Sequence, residues 1–213
     1  MADFSIAFSE IAPRERYKLL CASIVPRPIA LVSCLSPDGT VNAAPFSFFN
    51  VFSEDPALVV LGLQHHPDKS HKDTTRHIAA SGEFVVNLVD EGLAEAMNIC
   101  AIDFPPEVSE IEAAGLSTLP GVDVDAPRIA EAPFALECRR TLSLAFSATR
   151  ELLIGEVVRL HARDGLVDPQ TLRVAADLYK PVGRLFGSDY ARQNDRFTLK
   201  RESYAEWLAR REG

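Results

Sequence analysis

Pro28-Ile-Ala-Leu-Val-Ser-Cys-Leu35 runs straight into Ser36-Pro-Asp-Gly39 and then Thr40-Val-Asn-Ala-Ala-Pro-Phe-Ser47. The first stretch is rich in β-branched and apolar residues, and the second places Pro, Asp and Gly where a tight turn needs them. The reading is a hairpin whose second arm, Thr40 to Ser47, is built from small residues. Ala57-Leu-Val-Val-Leu-Gly-Leu63 then reads as a third strand buried on both faces. Glu83-Phe-Val-Val-Asn-Leu-Val89 is a fourth, and Phe134 to Thr149 with Leu152 to His161 are two long strands joined near Arg150-Glu151.

Helices are expected between these strands and after them. Ser70 and Asp73 have the spacing of a capping box, which predicts a short helix over Thr74 to Ala80 stopping at Gly82. Asp90 is placed to cap a helix in which Leu93, Met97 and Cys100 share one apolar stripe. From Pro105 to Pro133 the Pro, Gly and Asp content predicts irregular chain. A helical stretch is expected after Asp168-Pro169 as far as Leu178, and a short charged helix over Glu202 to Arg211 carries the sole tryptophan, Trp207. Most strands follow one another without an intervening helix, which argues for an antiparallel arrangement over a doubly wound parallel sheet.

The bulk properties narrow the function. The chain has 213 residues, enough for one domain with a real core, and 47% of them are hydrophobic. Twenty-two Lys and Arg against 30 Asp and Glu give a net charge of −8, which disfavours nucleic acid as a partner. Cys21, Cys34, Cys100 and Cys138 are far apart, without CxxC or zinc-ligand spacing. Met1-Ala2-Asp3-Phe4 opens no signal peptide and the apolar runs are too short to span a bilayer. A reducing cytoplasm and no membrane crossing are therefore expected. No GxGxxG or GxxxxGK[ST] occurs, so any nucleotide is bound without a Rossmann loop or a P-loop.

Two segments carry candidate chemistry. In Asn42-Ala-Ala-Pro-Phe-Ser-Phe-Phe-Asn50, small residues and a proline let a flat ring approach backbone N–H and C=O groups, with Ser47 and Asn50 offering hydrogen bonds. A closely packed barrel strand would have the same composition. In His71-Lys72-Asp73-Thr74-Thr75 a cation and two hydroxyls meet a helix start, whose unpaired N–H groups favour an anion such as phosphate. An ordinary capped surface helix reads alike. His65, His66, His71 and His77 match no HxxxH or HExxH spacing, and no metal is expected. Without a G-x-S-x-G elbow a serine hydrolase is disfavoured as well.

With these segments in place the chain resembles the flavin-reductase-like, FMN-binding split-barrel family, which includes flavoredoxin and the reductase components of two-component monooxygenases. The resemblance spans roughly Leu20 to Leu199. It rests on Arg27-Pro-Ile-Ala-Leu-Val-Ser33, Asn42 to Asn50, Lys72-Asp-Thr74, Glu83-Phe-Val-Val-Asn87 and Pro181-Val-Gly-Arg-Leu185 with Tyr190. Two departures stand out: His77 where an asparagine is common, and Phe186 and Ser188 interrupting a usual Leu-Gly-Gly.

The resemblance implies a mainly β fold with peripheral helices, a six-stranded antiparallel Greek-key split β-barrel. The barrel core would span about residues 20–165 and a C-terminal extension 166–213, within a single domain 1–213. It also implies FMN rather than FAD, held between the subunits of a homodimer. Ser33, Asn42, Ala43, Ala44 and Pro45 would lie along the isoalloxazine, and Ser47, Phe48 and Phe49 would line the ribityl chain or ring. Lys72 and Thr74, with Asp73 between them, would hold the phosphate. Arg27, Asn50, Asn87 and Arg184 are further candidate contacts. The implied activity is NAD(P)H-dependent flavin reduction serving a partner monooxygenase or another electron acceptor. Because the flavin carries the chemistry, no separate catalytic residue is implied. The alternatives are an electron carrier or FMN donor without a nicotinamide site of its own, and a barrel that has lost its flavin.

Overall fold

A computed structural model describes residues 3–105 and 108–212. After a single 3-10 turn at Phe8–Glu10, α1 (Pro13–Ser23) starts with proline in its first turn, and the Glu15 carboxylate accepts from the Ala12 N–H at 2.9 Å. The hairpin read from sequence follows as β1 (Ala30–Leu35) and β2 (Val41–Phe46). Gly39 takes φ 90° at its turn, where a side chain would be strained.

The second arm ends close to the expected Ser47, but a strand not expected from the sequence follows. The Asn42 to Asn50 segment is not one strand. It breaks at Ser47-Phe48, and a further strand, β3 (Phe49–Glu54), turns at Asp55-Pro56 into β4 (Ala57–Gln64). At the break the Phe48 carbonyl accepts from the Gly62 N–H at 2.7 Å, so the chain leaves β1 and joins β4. A Cβ on Gly62 would sit 2.9 Å from the Phe48 Cβ, so the close approach needs glycine.

α2 (Asp73–Ser81) ends at Gly82 in the left-handed conformation, as its sequence predicts. Its start differs. Lys72 is the N-cap and makes no side-chain capping bond, while both the N–H and the hydroxyl of Ser70 go to Asp68 Oδ1. The capping box is replaced by a local turn around Asp68.

β5 (Glu83–Leu88) leads to α3 (Ala94–Ile99), whose entry is fixed by the Leu93 N–H donating to Asp90 Oδ1 at 3.1 Å. α4 (Glu110–Ala113) and a ribbon of β6 (Thr118–Leu119) with β7 (Arg128–Ile129) occupy the stretch read as irregular. The two long strands are β8 (Phe134–Ser147) and β9 (Arg150–Ala162), and three register shifts along them raise the twist. The helix expected over 168–178 does not form. The Asp168 carboxylate takes the N–H groups of Gln170 and Thr171, its carbonyl takes that of Leu172, and Val167 bridges Val174. These local bonds compete with the helical ladder. β10 (Val182–Arg184) and β11 (Tyr190–Arg192) form a second ribbon, and α5 (Tyr204–Glu212) matches the predicted tail helix.

The main sheet has seven strands in the order β2-β1-β5-β8-β9-β4-β3, with every neighbouring pair antiparallel. The mainly β class with peripheral helices stands, but the six-stranded split barrel is corrected to a rolled seven-stranded sheet. Its two edge strands, β2 and β3, are consecutive in sequence and separated by only Ser47-Phe48. The roll therefore meets at that corner and stays open elsewhere.

Strand β1 is buried on both faces because its alternate residues enter different layers. Ala30, Val32 and Cys34 pack inside the roll with Leu61, Phe84, Leu153 and Ile78 of α2. Ile29 and Leu31 pack outward under Leu93, Met97 and Ile111 of the helical cover. No helix among the described residues is long and apolar enough to cross a membrane.

Candidate functional site

A cleft of about 890 Å³ opens where the roll is split, within the range of about 300–1,000 Å³ typical of small-molecule sites. One wall is strand β2 with its corner, contributing Asn42, Ala44, Pro45, Ser47 and Phe48. Because β2 is an edge strand, its outward backbone groups have no ladder partner, and Pro45 is tolerated there because a missing N–H breaks no sheet bond. The opposite side comes from Gly62 to Gln64 of β4 and from Phe146 and Arg150 to Leu152 around the β8–β9 turn. The end of the cleft is the start of α2, with Lys72, Asp73 and Thr74, facing the loop Cys100 to Phe104 and Glu110.

The polar end is preorganised. Asn42 Nδ2 donates to Thr74 Oγ1 at 2.9 Å, and both side chains are buried, which locks strand β2 to the first turn of α2. The first intrahelical N–H to find a main-chain acceptor is that of Arg76, bonded to the Lys72 carbonyl. The N–H groups before it are left for a ligand, at the positive end of the helix dipole. The Lys72 ammonium is held only loosely, 3.6 Å from the exposed carboxylate of Asp103, and a contact of that kind gives way readily. A cation, free N–H groups and a hydroxyl converge on one spot.

The cysteines of this region are not poised as nucleophiles. Burial, helped by the Glu110 carboxylate, pushes the Cys100 thiol at the cleft up to about 11, so it stays protonated at neutral pH. Cys34 and Cys138, inside the roll, are each pushed by burial to about 12. Burial also lowers His77, which faces Cys34 Sγ at 3.9 Å rather than the cleft, so it is neutral there. Burial raises the Glu110 carboxyl above its ordinary value.

Of the residues singled out from sequence, the fold gathers Asn42, Ala44, Pro45, Ser47, Phe48, Lys72, Asp73 and Thr74 around this cleft. The others sit elsewhere. Asn87 is fully buried: its Nδ2 donates to the Leu31 carbonyl and to Ser33 Oγ, and its Oδ1 accepts from the Ile129 N–H. Ser33, also fully buried, donates to the Pro127 carbonyl. These two residues tie the loop around β7 to the sheet. Arg27 is buried against the carbonyls of Cys21, Ile24 and Leu185, with its Nε 3.5 Å from Ser47 Oγ, so it braces the corner from behind. Arg184 lies over the Tyr190 ring, 4.5 Å from its centroid. Ala43 and Phe49 face the two core layers, and Asn50 is exposed with Oδ1 accepting from the Val51 N–H.

Sequence reasoning missed Tyr17 of α1, whose ring centroid is 6.3 Å from that of Phe48, along with Phe146, Arg150, Glu151 and the 100–104 loop. No local pattern marks them, because each reaches the cleft through tertiary packing.

The fold is thus a rolled antiparallel sheet with a cleft between a small-residue edge strand and the start of a helix. The flavin reductase like domain matches residues 22–183, and the chain belongs to that family. The chain is similar to the Pseudomonas fluorescens 2-nitrobenzoate 2-nitroreductase NbaA, with 42% identity, 94% of this chain and 98% of that one covered, and a TM-score of 0.87. It is also similar to nitrilotriacetate monooxygenase component B from Bacillus cereus, at 36% identity, 93% and 100% coverage and a TM-score of 0.88. A putative flavin reductase with a split barrel domain from Shewanella frigidimarina shares the fold, with 18% identity, 91% and 96% coverage and a TM-score of 0.78.

Proposed function

We propose that this chain is a flavin oxidoreductase that holds FMN in the cleft and passes reducing equivalents from NAD(P)H to an acceptor. The observation that carries the reading is the convergence of Lys72, the Thr74 hydroxyl and the uncommitted N–H groups of α2 at one end of a cleft walled by strand β2. That donor set fits a phosphate monoester, and the edge of β2 fits the plane and polar rim of a heterocycle.

Lys72 and the α2 N–H groups bind the phosphate and Asn42 holds Thr74 in place. Ala44 and Pro45 leave room for a ring, which Phe48 and Tyr17 shield from water. When bound, FMN supplies two-electron redox chemistry with a nicotinamide, and the protein's part is to bind, orient and exclude solvent. The acceptor is open to two classes, a partner monooxygenase component or a small nitroaromatic acid, in line with the names of the two similar proteins. Anaerobic mixing of FMN-loaded protein with NADH and with NADPH tests the reading. Rapid bleaching of the flavin with one of them is expected, and slow bleaching with both would identify an electron carrier reduced by something else.

The reading includes a homodimer. Across the outer face of the sheet, Val60, Ile154 and Leu142 stand opposite one another, as do Leu152 and Leu144, with Phe146 beyond them at the cleft. Leu142, Leu144 and Phe146 are exposed. An apolar row of this kind, continuous with the cleft wall, is what a second copy would cover. Leu144→Asp is expected to give a monomer by light scattering, with weaker FMN binding. An unchanged dimer mass would rule this face out.

A further inference from the structure

Next to the cleft, the loop between β4 and α2 brings His65 and His71 to Glu151 at the start of β9, with donor atoms all within 4.8 Å of one another. His65 is 5% exposed, and its Nδ1 is buried without a hydrogen-bond partner. Its Nε2 lies 3.3 Å from Glu151 Oε2, beyond the about 2.7–2.9 Å of a charge-assisted hydrogen bond. The exposed His71 ring stacks on it, with centroids 4.3 Å apart and planes at 23°. A 3.3 Å contact is a weak use of Nε2 for a side chain this deeply buried, and it is at Nε2, facing Glu151, that a ligand would be gained.

The geometry suits a different role. Two ligands at about 2.0–2.1 Å from a tetrahedral ion stand about 3.3 Å apart, the separation His65 Nε2 and Glu151 Oε2 already have. Two imidazoles and one carboxylate form a donor set that zinc takes, leaving a fourth position for water. His71 is at the surface, so a side-chain rotation brings its nitrogen in without disturbing the core.

We propose that His65, His71 and Glu151 form a zinc-binding site. An ion there would pin the 65–72 loop to β9, alongside the bond already made from the His65 N–H to the Thr149 carbonyl at 3.1 Å. The residue after His71 is Lys72, so the ion would also fix the cation at the end of the cleft. Glu151 also lines the cleft, so the ion would sit at its border.

Isothermal titration of the chelator-treated full-length protein with Zn2+ tests the proposal. One ion per chain is expected, with affinity weakened about a hundredfold or more in His71→Ala and in Glu151→Gln. Zn2+ should raise the Tm of the unsubstituted protein and leave that of His71→Ala unchanged. Because His71 is exposed, that variant keeps the fold, and its Tm without metal checks this. Absence of saturable Zn2+ binding, or binding of full strength in His71→Ala, would overturn the proposal.

Discussion

Lys72→Ala should weaken FMN binding by about tenfold to a hundredfold, because a charge-assisted contact to phosphate contributes about 1.5–3 kcal/mol. The fold should survive intact, since among the described residues the Lys72 ammonium pairs only with the exposed Asp103 carboxylate at 3.6 Å. The loss is smaller than for a fully buried cation, because the α2 N–H groups and Thr74 remain and solvent screens the half-exposed ammonium. Affinity should also fall with rising salt in the unsubstituted protein and fall less steeply in the variant. Fluorescence titration of FMN measures both. Unchanged affinity in Lys72→Ala would move the phosphate away from α2 and with it the orientation of any ring along β2.

The largest effect on stability is expected at Glu137, which has no exposed surface. Its carboxylate accepts from the N–H groups of Val122, Asp123 and Val124 at 2.8, 2.6 and 3.1 Å, and faces His161 Nε2 at 2.6 Å. Burial alone would raise its pKa, but the bonds from His161, Asp123 and Val122 outweigh burial and hold the carboxyl below its ordinary value. Glu137→Ala strands all four donors, and breaking a buried pair of this kind costs about 3–5 kcal/mol. For a chain of this size that is a fall in Tm of roughly 10 °C. Glu137→Gln keeps one oxygen acceptor and should lose less.

The pH dependence follows from the direction of the shift. A carboxyl with a folded pKa below its unfolded value contributes its full stability above the ordinary value of 4.5 and loses it as pH falls through the folded one. The difference in stability between the unsubstituted protein and Glu137→Gln should therefore shrink on acidification below that value. A constant difference across that window would show that the carboxylate charge contributes nothing to the clamp.

The strand pattern was legible because alternation and turn chemistry are local. Pro28 to Leu35, the Ser36-Pro-Asp-Gly39 turn and the Gly82 stop can each be read from a few neighbouring residues. The switch at Ser47-Phe48 into a further strand, β3, could not. It depends on Gly62 admitting the Phe48 main chain from another strand, and nothing within the 42–50 segment announces that. The missing helix over 168–178 has a local cause, the Asp168 carboxylate capturing Gln170 and Thr171, in competition with an equally local helical tendency. At the candidate site, Lys72 and Thr74 were readable because a helix start is an anion site by its own geometry. Ser33 and Asn87 come from the motifs that carry the family resemblance, yet in this chain they spend their hydrogen bonds on the interior.

By itself, then, the sequence determined an antiparallel β protein with a helix starting next to Lys72, since periodicity, turns and helix termini are properties of short segments. Only the tertiary structure decided that seven strands roll into a split sheet and that Tyr17, Phe146 and Arg150 share a cleft with Lys72. The meeting of Glu151 with His65 and His71 was decided there as well. Contacts between residues distant in the chain depend on how strands register and curl around a common core, and no local segment encodes that.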